Sequence, residues 1–79
     1  MDTTHLKSSY ANFATANASR EEVVLMFGLN RGWDGSPGDT GIRIDHRVVL
    51  NPYAAKRLVG LLEDLLREYQ ARHGELKLS

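Results

Sequence analysis

Residues 51–74 read NPYAAKRLVGLLEDLLREYQARHG, and this stretch decides the fold of the chain. Asn51 is a favoured helix N-cap because its side chain accepts a hydrogen bond from a free backbone N–H, and Pro52 suits the first helical position. Gly74 is the expected stop after His73, since glycine adopts the backbone conformations that end helices. The stretch therefore predicts one long helix from Pro52 to His73.

The apolar side chains of this helix share one face. At 100° per residue they fill an arc of roughly 160°, which is wider than one contact with a sheet needs. Within the arc, Leu58, Leu62 and Leu65 are the predicted core against the preceding strands. The full set is Ala55, Leu58, Val59, Leu61, Leu62, Leu65, Leu66 and Tyr69.

Three strands are predicted upstream of the helix. Residues 42–50 alternate between apolar and charged side chains, which is typical of a strand with one wet face. Residues 22–29 are the strongest strand candidate, and residues 10–16 form a weaker one because alanine is a poor strand former. On residues 42–50 the predicted inward set is Ile42, Ile44, His46, Val48 and Leu50.

These elements predict an α+β fold: a three-stranded antiparallel β-meander followed by one long C-terminal α-helix packed on the sheet. We expect a single domain over residues 10–79, preceded by a flexible N-terminal arm at residues 1–9. Residues 75–79 alternate and are compatible with a short edge strand.

Residues 22–29 carry apolar side chains on both faces. Val24 and Met26 point away from the face that meets the helix, and the chain has only one helix to cover the sheet. We therefore predict that Val24 and Met26 contact a protein partner, most simply another copy of this chain. Small cores in chains of this length are marginal, which also favours oligomerisation.

The loop Asn30–Gly41 contains four glycines and a proline in twelve residues, with Trp33 in its middle. Such a composition excludes a regular element. Trp33 either folds back onto the sheet as part of the core or anchors a partner, since tryptophan is enriched at interface hot spots. We take the partner contact as the hypothesis to test.

Composition excludes several classes of protein. Ten basic residues balance ten acidic ones and there is no cysteine, so disulfides and thiolate chemistry are excluded and nucleic acid is a disfavoured partner. No apolar run approaches the roughly 20 residues of a membrane span, and we expect a cytoplasmic protein. His5, His46 and His73 show no chelating spacing; His46 is predicted to be packed and hydrogen-bonded. We expect no cofactor, no metal and no catalytic activity.

Several anchors in order resemble a family of small bacterial proteins classed as a domain of unknown function. They are a Tyr-x-Asn-Phe opening (residues 10–13), the stretch 22–28, the segment Arg47 to Pro52, the helix opening 55–58 and the end at 69–76. In this family Asp is more usual where Met26 stands. The resemblance implies membership and carries no activity.

The order of three strands and a long helix also resembles, in architecture, the SecB export chaperone. With no catalytic constellation in the sequence, we expect a non-catalytic protein-interaction module, either a homo-oligomer or a small accessory subunit of a larger bacterial complex. A SecB-like holdase and a nucleic-acid-associated regulator are the alternatives.

Overall fold

The computed structural model of the protein describes residues 1–31 and 41–78. Four elements follow in chain order: β1 (Phe13–Ala18), β2 (Val23–Asn30), β3 (Ile42–Leu50) and α1 (Pro52–His73). The strands form one antiparallel sheet in the order β1-β2-β3. The predicted α+β meander with a C-terminal helix is therefore confirmed.

The first strand begins later than predicted, at Phe13 rather than Tyr10. Just before β1, the Asn12 N–H donates a backbone hydrogen bond to the Gly28 carbonyl at 3.1 Å, and the Asn12 side chain bonds the end of β2. Its Oδ1 accepts a hydrogen bond from the Asn30 N–H at 2.7 Å, and its Nδ2 donates to the Asn30 carbonyl at 3.3 Å. These bonds tie the residue before β1 to the end of β2. Residues 75–78 add no edge strand.

A β-bulge lies between β2 and β3. Phe27 pairs with His46 but Gly28 pairs with Ile44, so Asp45 has no partner opposite it. A Cβ on Gly28 would stand 1.9 Å from the carbonyl oxygen of Arg43. Glycine at this position therefore allows the close approach of β3 that the bulge requires.

The bulge corrects the predicted face of β3. Partners across a ladder share a face, so Ile44, paired with Gly28, lies on the same face as Met26. Ile42, which pairs with Asn30, lies on the same face as Ile44. The prediction that Ile42 and Ile44 point inward with Val48 was wrong, because one extra residue inverts the alternation.

The ends of α1 lie where the sequence predicts them. Asn51 Oδ1 accepts a hydrogen bond from the Ala54 N–H at 2.8 Å. At the other end Gly74 has a φ of 93°, and its N–H donates a hydrogen bond to the Gln70 carbonyl at 2.9 Å. Because only Asn51 separates β3 from α1, the start of the helix is held close to the end of the sheet.

Candidate interaction site

An apolar groove lies between the first half of α1 and the sheet. Its volume is about 380 Å³, and every residue that lines it is apolar. The sheet forms its floor and the first three turns of α1 form one wall. The lining residues are Ala14, Ala16, Val23, Leu25, Phe27, Leu50, Ala55, Leu58, Val59 and Leu62.

Sequence reasoning missed the contribution of β1 to this groove. Ala14 and Ala16 pair with Phe27 and Leu25. Because the alanine side chains are short, the groove is deeper over β1 than over the larger residues of β2. The spacing of these alanines, at alternate positions of one strand, was the available signal. Alanine is a poor strand former, so these two positions predict a strand only weakly.

The far half of α1 carries an exposed apolar stripe beyond the groove. Leu65 is 61% exposed, Leu66 48% and Tyr69 47%. Leu62, predicted to be core, is 47% exposed even though it lines the groove. Leu58 is half-buried. The expected core of Leu58, Leu62 and Leu65 is therefore not closed within one chain.

The opposite side of the sheet, called here the outer face, brings together residues from β2 and β3. Val24 pairs with Val49, and Ile44 follows along β3 beyond the bulge. Val24 and Met26 are half-buried, whereas Val49 is 50% exposed. Both predicted contact residues on β2 thus lie on a partly apolar surface that no helix of the described residues covers. Trp33, the third predicted contact residue, lies outside the described residues.

The surface area of the chain is large for its mass. The accessible surface is 7400 Å², whereas a compact monomer of this mass exposes about 4,800 Å². The radius of gyration is 15.6 Å, against about 11.6 Å for a compact domain of this length. Among the described residues no hydrophobic side chain is fully buried. The described apolar side chains are therefore covered less completely than those of a typical domain.

A second pocket of similar size lies beside the groove, and Phe27 lines both. It measures about 360 Å³ and is lined by residues of the N-terminal arm, β2 and β3. His46 Nε2 and Ser9 Oγ lie 2.9 Å apart. The hydrogen bond predicted for His46 is thus present, but the ring is exposed rather than packed. The reason is that α1 starts at the Leu50 end of β3 and contributes no residue to this pocket.

The Ser9–His46 contact resembles the nucleophile–base pair of a hydrolase only in its distance. A working dyad also needs a group that orients the base and donors that stabilise an oxyanion. The neighbouring carboxylate, Asp45, is paired instead with Arg43 at 2.8 Å. Within the described residues, no group of three or more metal-ligating side chains occurs.

The fold and the groove define a class: a small α+β protein with a three-stranded meander, a C-terminal helix and an apolar groove between them. The chain belongs to the family of proteins of unknown function DUF3467, whose model matches residues 1–78. This membership confirms the suspected family. No curated protein and no solved structure matches the chain. Over the described residues, no helix has the length and apolar character needed to cross a membrane.

Proposed function

We propose that this protein is a non-catalytic protein-interaction module that works as a homo-oligomer or as a small subunit of a larger assembly. The observation that carries the proposal is the lack of a fully buried hydrophobic side chain in the described part of the chain, together with an open apolar groove. Burial of apolar surface is the main favourable contribution to folding. A chain that leaves its own apolar faces open gains stability when a protein surface covers them.

The accessible surface of the chain exceeds that of a compact monomer, and the size of this surface excess agrees with the proposal. It amounts to about 2,600 Å² per chain when compared with a compact monomer. Obligate homodimers bury roughly 1,000–2,500 Å² on each partner. Exposed residues 1–12 account for part of the excess, and an interface of this size covers the part that lies on the helix and the sheet.

Light scattering on the purified protein across a dilution series tests the proposal. We expect a mass at least twice 8.8 kDa at micromolar concentration, with loss of helix signal when dilution separates the chains. A folded monomer that binds no protein partner in its native extract would contradict the proposal.

The apolar groove also favours a second candidate, a SecB-like holdase, because unfolded clients present apolar segments to such surfaces. A holdase binds a permanently unfolded protein reversibly and delays its aggregation, whereas an interaction module with a closed interface does neither. Lys7 and Arg47 contribute basic groups at the second pocket, so the same preparation is titrated with DNA at low and high salt. Strong, salt-dependent binding would instead indicate the nucleic-acid regulator.

A further inference from the structure

The apolar stripe of α1, taken over its full length from Ala55 to Tyr69, has a mirror pattern about its middle. Leu62 is the centre, and each apolar residue of the stripe except Leu61 has an apolar counterpart at the same distance on the other side. The pairs are Leu58 and Leu66, Val59 and Leu65, and Ala55 and Tyr69. Leu61 is the exception, because its mirror position is Glu63, and it lies at the edge of the stripe.

A mirror pattern of this kind suits an antiparallel pair of identical helices. In a two-fold symmetric pair the same surface is used by both copies. When the axis passes beside Leu62, residues that stand equally far above and below Leu62 come to the same height on the two helices. Every level of the contact is then apolar on both sides, and the helices interdigitate as packed helices do.

We propose that α1 of a second copy packs antiparallel against α1, with the two-fold axis at Leu62, and fills the apolar groove. The proposal rests on the proposed function and specifies its interface. The part of α1 that lines the groove ends at Leu62, and the part that extends beyond it is the exposed stripe of Leu65, Leu66 and Tyr69. The symmetry places the exposed half of each helix over the groove of its partner.

The open surface agrees with this arrangement. Leu62 and Val59 line the groove yet are 47% and 54% exposed. Their side chains are therefore open to solvent on the side where the partner helix would lie. The surface excess of about 2,600 Å² per chain is enough for a stable interface with a second copy. The wide apolar arc is also explained, because α1 then contacts both a sheet and a helix.

The test uses single cysteines, since the natural chain has none. Packed helices lie about 8–10 Å apart and their Cα atoms about 2.3 Å from each axis, so two facing Leu62 residues have Cα atoms roughly 4–5 Å apart. That separation is within the range of a disulfide. Leu62→Cys is therefore expected to form a covalent dimer under mild oxidation.

Gly60→Cys is the matched control. It stands two residues away on the opposite side of α1, with nothing within 4 Å of an added Cβ, and is expected to stay unlinked. If Leu62→Cys loses its helix signal, mixing Ala55→Cys with Tyr69→Cys probes the same geometry at the two ends of the stripe. We expect that mixture to give a mixed covalent dimer.

The outcomes separate this inference from the proposed function. Selective linking at Leu62, or in the Ala55–Tyr69 mixture, supports the antiparallel pair. An oligomer by light scattering with no such link, or with equal linking at Gly60, overturns the pair and leaves the interaction module standing. A stable monomer that binds no partner overturns both.

Discussion

Gly28→Ala places a methyl group where the backbone of β3 already lies. The added Cβ would stand 1.9 Å from the carbonyl oxygen of Arg43 and 2.9 Å from the Cα of Ile44. Ordinary contacts of a Cβ begin at 3.4 Å, so β3 has to move away by about 1.5 Å. The obstructing atoms belong to the backbone, and no change of rotamer relieves the clash.

The cost follows from this displacement. Overpacking a well-fitted site costs about 1–3 kcal/mol, and each backbone hydrogen bond lost as β3 retreats adds about 1 kcal/mol. We expect Gly28→Ala to lower the free energy of unfolding by about 3 kcal/mol or more. A chain of this length has roughly 4–12 kcal/mol in total, so the loss is severe.

Urea unfolding followed by circular dichroism measures the effect, at one fixed protein concentration because association shifts apparent stability. Gly60→Ala is the control: its Cβ meets nothing within 4 Å, and alanine in a helix interior is better than glycine by about 1 kcal/mol. Gly60→Ala is expected to raise the midpoint. An unchanged midpoint for Gly28→Ala would refute the close approach of β3 to Gly28.

Other substitutions test separate features. Asn12→Ala removes both hydrogen bonds to Asn30 and should cost about 1–2 kcal/mol in urea unfolding; a neutral result would contradict these side-chain bonds. Asn51→Ala should cost about 1 kcal/mol while Asn51→Asp retains most of the stability, and equal losses would argue against the cap. Trp33→Ala should leave stability nearly unchanged while weakening partner binding, and Trp33 emission should shift to the blue on association. Blue emission in the separated chain, with unfolding by Trp33→Ala, would make Trp33 a core residue instead.

The predicted contact residues illustrate what alternation can and cannot assign. Val24 and Met26 lie on the outer face as expected, because within one strand the side-chain period of two needs no outside information. Ile42 and Ile44 join them only through the bulge opposite Gly28. The sequence of β3 does not indicate the bulge, because the bulge depends on Gly28 in the neighbouring strand.

The sequence by itself determined the elements that depend on near neighbours. Both ends of α1 could be predicted because a cap is formed by residues within a few positions of one another. The meander could be predicted because β2 and β3 are joined by a glycine-rich loop and differ clearly in pattern from α1.

Only the tertiary structure decided which apolar surfaces are covered. The groove depends on the short side chains of β1 lying beside Phe27, which the pairing of two separate strands brings about. The exposure of Leu65 and Tyr69 likewise follows from the direction of α1 relative to the sheet. Periodicity identifies the apolar side of a helix, but it does not say how much of that side the same chain covers, because coverage is set by contacts between residues far apart in sequence.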